Sequence, residues 1–374
     1  MKSVLFLSSW YPSRMHSTLG NFVNFHAQSV ALKHKVNLLY ITPDDDVVGY
    51  ELDHFKDGNL TTTIVYFKRG YIKYFNYWLA FLKGINFLLK EKKVSFDIVH
   101  MNVMLPAVWQ AIYLKLIFKL PFIVSEHWHG FQDLPRYKIS MLKKVMVKYA
   151  FKSAYAICPV SKQLKESMEK SGFNSNFKVI PNVVDTDLFN IGDEKNKEFT
   201  FLHVSTLEDS IKNISGIIEA FKEVNTPNCK LKIVGYGKTD WIHQMVNDYQ
   251  LNDRIIINGE KTHQEIAKEM QIANAFVLFS NIESFSLVII EALSCGIPII
   301  STNVGVVKEI YNKSMGKLVQ VNNIIDLTSA MKNVIDNYAN YNPKSIREYA
   351  VNNYSFQKVG DQFNELYNEI LKNN

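Results

Sequence analysis

Cysteine pairs, long apolar runs and metal-ligand clusters are all missing from this 374-residue chain. The three cysteines, Cys158, Cys229 and Cys295, are odd in number and far apart, which argues against a disulfide scaffold or a paired-cysteine zinc site and fits reduced thiols in a cytoplasmic protein. No apolar run reaches the ~20 residues of a membrane-spanning helix, because Met104 to Leu120 is broken by Lys115 and Lys119. Met1-Lys2 leads directly into a short strand, so no signal peptide is expected. No His, Cys, Asp or Glu cluster has metal-ligand spacing, so no metal cofactor is expected. The computed pI of 8.9 raises a nucleic-acid reading, but no zinc-finger, RRM or helix-turn-helix signature accompanies it, and no nucleic-acid partner is expected. There is no internal repeat or low-complexity tract.

An apolar content of 47% is enough for a packed core, and the length exceeds what one core usually serves, so two domains are expected. Short apolar runs alternate with helical segments, the pattern of parallel α/β sheets. In the first half the expected strands are Val4–Ser8, Val36–Ile41, Thr63–Phe67, Ile98–Met101, Phe122–Ser125, Tyr155–Val160 and Lys178–Ile180. A second series opens at Phe199–Val204 and continues through Leu231–Val234, Arg254–Ile257 and Ala275–Ser280.

Charge is unevenly placed. Residues 1–190 carry 24 Lys and Arg against 14 Asp and Glu, whereas the remainder carries 18 against 22. The basic excess gathers in Lys68, Arg69, Lys73, Lys83, Lys90, Lys92 and Lys93, and again in Arg136, Lys138, Lys143, Lys144, Lys148 and Lys152, both interleaved with apolar residues. Between Tyr74 and Lys92, Phe75, Trp78, Leu82, Ile85 and Leu89 fall on one helical stripe, widened by Tyr77, Phe81 and Leu88. A basic amphipathic helix can lie on an anionic membrane surface; an ordinary domain helix with a lysine-coated outer face has the same pattern.

The most informative stretch is Ser280 to Glu309. It sets Glu283 in a loop after an apolar strand and Glu291 inside the helix that follows, with Ser286 where that helix begins. Free backbone N–H groups and the positive end of the helix dipole point out of such a turn, which makes it an anion site with phosphate as the expected guest. The acids flank that site, so the ligand implied carries hydroxyls on both sides of a diphosphate.

Glu283, seven residues, Glu291, then Cys295-Gly296-Ile297-Pro298 and Asn303-Val304-Gly305 resembles the signature of the retaining glycosyltransferases of family 4. The resemblance covers nearly the whole chain. It implies α/β architecture of the GT-B type, two Rossmann-like domains with parallel sheets facing across an interdomain cleft. It further implies that Glu283 contacts the transferred sugar, that Glu291 holds the ribose, and that the backbone amides of Ser286 and Leu287 bind the diphosphate. The family has glycines beside the first acid where this chain has Ser284 and Ser286. Pro181 to Phe189 resembles the family's interdomain linker, with Val183 in place of a glycine, and is followed by the polar stretch Gly192–Glu198. The expected division is 1–190 plus 355–374, an acceptor-side domain closed by the helix Ser355–Leu371, and 191–354, a nucleotide-sugar donor domain.

The same resemblance assigns Lys212 to the donor phosphates and to catalysis, and places Thr206 where the family carries an arginine. Gly235-Tyr236-Gly237 follows a strand but fails the dinucleotide fingerprint, since position 240 is Asp240. With Gly259 and Glu260 it matches the family's nucleotide-side turns. In the first domain, Gly20 matches the glycine that lets backbone approach the donor, and His127 matches the active-site histidine that hydrogen-bonds the donor sugar. His129 is its competitor, and His100 is read as structural.

The expected enzyme is a retaining hexosyltransferase that moves a sugar from a nucleotide diphosphate sugar, UDP-sugars favoured, to an acceptor hydroxyl on a glycan or lipid-linked glycan. The resemblance implies no metal, a phosphate oxygen taking the acceptor proton, and a setting in cell-surface polysaccharide or glycolipid assembly, cytoplasmic or peripheral on the inner face of the membrane. The alternatives are a nucleotide-sugar epimerase of the same fold and a non-catalytic sugar- or nucleotide-binding protein.

Overall fold

A computed structural model describes residues 1–16, 19–70, 73–132 and 140–372, without the side chains of residues 73, 74, 129, 132 and 142. The chain forms two compact units, residues 1–183 with 356–374, and residues 184–355.

The first unit is built on a seven-stranded sheet of β1 (Ser3–Ser8), β2 (Lys35–Pro43), β3 (Tyr50–Asp57), β4 (Leu60–Phe67), β5 (Ile98–Asn102), β6 (Phe122–Glu126) and β7 (Ala156–Pro159), in the order β3-β4-β2-β1-β5-β6-β7. All neighbours are parallel except β3 and β4. The central strands read as continuous apolar runs because helices cover both faces of a parallel sheet. Strand β3 was not expected. Its sequence, YELDHFKD, has no apolar run and suits an exposed edge strand, where charge discourages pairing with another chain. The two-residue loop Gly58-Asn59 after Asp57 was the available hairpin signal. Lys178–Ile180, expected as a strand, is instead an extended segment tied to β7 by Lys178 N to Ile157 O (3.0 Å) and Ile180 N to Pro159 O (3.2 Å).

The helix Lys73–Asn86 turns Phe81 and Ile85 into the core, so its apolar stripe serves domain packing, although Phe75 stays exposed. The C-terminal helix Phe356–Lys372 packs in this unit on the helix Asn21–Ala31. Its Phe363, Leu366, Tyr367 and Ile370 share a core with Phe6, Val23 and Ala27, and Tyr367 Oη lies 2.6 Å from His100 Nδ1. Burying these four side chains stabilises the helix by roughly 1.5–3 kcal/mol each. His100, buried and bonded also to Ser125 Oγ (2.7 Å), is a core histidine.

The second unit carries an all-parallel six-stranded sheet of β8 (Phe199–Thr206), β9 (Cys229–Tyr236), β10 (Ile255–Asn258), β11 (Ala275–Leu278), β12 (Ile299–Thr302) and β13 (Gly316–Val319), in the order β10-β9-β8-β11-β12-β13. Its core is separate, centred on Phe201, Ile217, Phe221, Ile233 and Val277. Val184 to Asn190 belong to this unit: Phe189 is buried, and Arg347 donates to the carbonyls of Thr186, Phe189 and Ser294 at 2.7 Å each. Because all strands but β3 run parallel, their carboxyl ends and following loops share one edge of each sheet.

Candidate active site

In the second unit the loop after β11 carries Glu283 and the loop after β8 leads into the short helix Asp209–Lys212. Lys212 Nζ lies 2.5 Å from Glu283 Oε1, and Ser280 Oγ donates to the same oxygen at 2.8 Å. Both members of the ion pair are mostly buried, at 16% and 11% exposed. Ser280, not singled out from sequence, is placed by Thr302 Oγ1, which donates to the Ser280 carbonyl at 2.7 Å.

Ser286 is the residue before the helix Leu287–Ser294 and has φ +78°, a left-handed conformation that a glycine would adopt without strain. The serines that replace the family's glycines therefore leave this turn in place, at a conformational cost of order 1 kcal/mol. No side chain caps the helix, and Ser286 Oγ is buried with no hydrogen-bond partner among the described residues. An uncapped helix start leaves its N–H groups for an anion. Gly305 lies beneath this turn: a Cβ there would come within 2.8 Å of Glu283 Cβ and 3.0 Å of Ser286 Oγ. The Asn303-Val304-Gly305 element thus seats the loop that carries Glu283.

Glu291 is 4% exposed, and burial alone pushes its carboxyl up to about 8. Its Oε1 is 3.8 Å from His263 Nε2, at the start of the helix His263–Ile272. Burial lowers His263, opposed by Asp185. No local sequence signal connected His263 to Glu291; the pairing exists only in three dimensions.

Thr206 ends β8 with its side chain exposed and pairs in register with Tyr236. Gly235 packs against the neighbouring Ser205 carbonyl and Leu207, which places Thr206, Gly235 and Gly237 side by side. Gly259 and Glu260 follow β10 at the same sheet edge, with open space around Gly259. The structure therefore pairs Lys212 with Glu283 directly, sets Ser286 beside Glu283 over Gly305, and brings Thr206, Gly235, Gly259 and Glu260 only to neighbouring strand ends.

In the first unit, Gly20 (φ +76°) starts the helix Asn21–Ala31, and a Cβ on it would sit 2.5 Å from the Trp10 carbonyl oxygen. Only glycine fits so close to the loop after β1. That loop is fastened by Arg14, which forks onto Glu51 (2.7 and 2.9 Å) and reaches Asp44 at 2.8 Å.

His127 follows β6 and is 6% exposed, with its ring against Phe22 (centroids 4.4 Å) and His26 (5.1 Å). Burial, then neighbouring His26, holds it well below the ordinary imidazole range, opposed by Asn182. Asn182 is near enough to oppose the shift but not in hydrogen-bonding geometry, and neither ring nitrogen has a partner among the described residues. A neutral imidazole carries one donor and one acceptor, and both are buried here. The backbone of His129 lies in the 3-10 turn His129–Gln132, so the strand ends before it; its side chain lies outside the described set, as do Arg136 and Lys138. Among the described residues no group of three or more His, Cys, Asp and Glu side chains could hold a metal, and no helix is long and apolar enough to cross a membrane.

The family model described as Glycosyl transferases group 1 matches residues 184–353, and that described as Glycosyltransferase Family 4 matches residues 23–188. N-acetyl-alpha-D-glucosaminyl L-malate synthase of Bacillus anthracis is 24% identical over 61% of this chain and 63% of its own length. UDP-Gal:alpha-D-GlcNAc-diphosphoundecaprenol alpha-1,3-galactosyltransferase of Escherichia coli is 28% identical over 75% of this chain and 78% of its own length. Among solved structures, sucrose-phosphate synthase of Thermosynechococcus elongatus superimposes with a TM-score of 0.80 at 18% identity, covering 100% of both chains. Anabaena HepE in complex with UDP gives 0.74 at 18% identity, covering 99% of this chain and 100% of its own. Two family models spanning both sheets, on a fold shared end to end with such enzymes, place this chain among the group 1, family 4 glycosyltransferases of GT-B fold.

Proposed function

We propose that this protein transfers a glycosyl group from a UDP-sugar to an acceptor hydroxyl, with retention of configuration, in the assembly of a polysaccharide or glycolipid. The observation that carries the proposal is the Lys212–Glu283 ion pair beside the uncapped helix start at Ser286. In this reading the helix-start amides and Lys212 take the diphosphate, Glu283 faces the sugar, Glu291 holds the ribose, and His127 hydrogen-bonds the sugar. The C1–O bond to the nucleoside diphosphate breaks while the acceptor oxygen bonds to C1. The acceptor proton passes to a phosphate oxygen of the leaving group, whose charge the amides and Lys212 stabilise. UDP is favoured because the Escherichia coli relative is named for UDP-Gal and the Anabaena neighbour is bound to UDP.

A membrane-associated acceptor is supported by the helix Met141–Ser153. Its Met141, Val145 and Tyr149 form an exposed apolar stripe, 84%, 58% and 46% accessible, beside the exposed Lys144, Lys148 and Lys152. This outward face, rather than the helix Lys73–Asn86, is the one suited to an anionic bilayer.

The testing experiment is a thermal-shift panel of UDP-, GDP- and ADP-sugars, followed by NMR of the product formed with the stabilising donor. Stabilisation by UDP-sugars and a product of the donor's anomeric configuration supports the proposal. Inversion, or epimerised donor formed without acceptor, overturns it.

A further inference from the structure

Glu126 takes no part in the chemistry above, yet it ends β6 next to His127 and is fully buried. Its oxygens accept three backbone N–H groups: Oε1 from His127 and Trp128 at 2.9 Å each, and Oε2 from Met104 at 3.0 Å. The first two bonds fix the turn on which His127 stands. The third ties that turn to the loop after β5, where the Met104 carbonyl accepts from Val108 N (2.8 Å) at the start of the helix Val108–Phe118. The same loop is tied to the loop after β1 by Ala107 N donating to Ser9 Oγ (3.1 Å) and Ser9 N to Asn102 O (3.1 Å). The carboxylate therefore joins the turn after β6 to the loop after β5, and the Ser9 bonds carry the tie on to the loop after β1.

We infer that Glu126 is a positioning residue whose ionised carboxylate sets the orientation of His127, so that the geometry of this edge follows its protonation. The catalytic consequence rests on the role proposed for His127. Protonation puts an O–H on one of these oxygens, which weakens the N–H bonds that the carboxyl accepts and adds a donor that needs a partner of its own. Burial raises the Glu126 carboxyl to about 7, against the three N–H bonds, and no charged side chain contributes. The buried titratable groups on adjoining elements include His26 on the helix Asn21–Ala31, His100 on β5, Cys158 on β7 and His127 itself, and the helix Val108–Phe118 carries Tyr113 and Lys115. Burial keeps all three histidines neutral near pH 7 and raises the Cys158 thiol, so an ionisation there belongs to Glu126.

The test uses the full chain. In amide NMR from pH 5.5 to 8.5, the resonances of Met104, His127 and Trp128 should move together with one midpoint near 7 in the unmodified protein and should not titrate in Glu126→Gln. That variant should lose ~10- to ~100-fold in kcat with little change in donor KM, and its kcat should no longer fall on acidification. Absence of the shared titration in the unmodified protein, or its persistence in Glu126→Gln, overturns the inference. A protein that transfers no sugar overturns the functional proposal alone, since the amide titration needs no activity.

Discussion

Glu291 sets stability against function in the second unit. A carboxyl raised from its ordinary 4.5 to about 8 by burial is held neutral in the fold, so the unfolded chain releases its proton first as pH rises. The stability it contributes is complete below pH 4.5 and is lost as pH rises through about 8. At ~1.4 kcal/mol per pH unit, this shift has a ceiling of ~5 kcal/mol. Burial lowers His263, 3.8 Å away, which disfavours the charged imidazole that could offset the loss. Glu291→Gln keeps the shape and removes the ionisation. Its stability relative to the unmodified protein should therefore climb by roughly 2–5 kcal/mol between pH 5 and pH 9. The assay is urea unfolding at each pH, followed by fluorine NMR of fluorotryptophan, since Trp241 is the single tryptophan of residues 184–355 and reports that unit by itself. If Glu291 accepts ribose hydroxyls as proposed, UDP binding should weaken in the more stable variant. A difference in stability that stays constant from pH 5 to pH 9 would refute the argument.

Glu283→Gln should cut transfer by at least ~100-fold while nucleoside diphosphate binding is retained, because Lys212 then loses its carboxylate partner and remains available to phosphate; full turnover would contradict the role given to Glu283. His127→Ala should lose ~100-fold in kcat with donor saturating, whereas His129→Ala should keep most activity; steady-state kinetics showing the reverse would place the sugar contact two residues later. The protein should bind anionic vesicles in sedimentation, more weakly as salt screens the lysines, and Val145→Glu with Tyr149→Glu should weaken binding further. Equal, salt-independent binding to neutral vesicles would remove the membrane reading.

The sequence by itself determined the alternating α/β order, because buried parallel strands must be short apolar runs and their helices must carry an apolar face. It also determined the acid pair and its Gly-x-Pro context, since Glu283 and Glu291 lie on one strand-to-helix turn and local spacing is all that such a turn requires. Strand β3 escaped because an edge strand with polar residues on both faces leaves no periodic trace, only the turn at Gly58-Asn59. What tertiary structure alone decided are contacts between residues distant along the chain. Lys212 meets Glu283 across 71 positions, and His263 meets Glu291 across the packing of two helices. Glu126 stood in plain view beside His127, but the Met104 N–H it accepts comes from the loop after another strand. Its burial, and with it the carboxyl near neutrality, follows from the layers stacked over that sheet edge. A residue's type fixes which bonds it can make; the packing of distant segments fixes which of them it makes and how much water remains to compete.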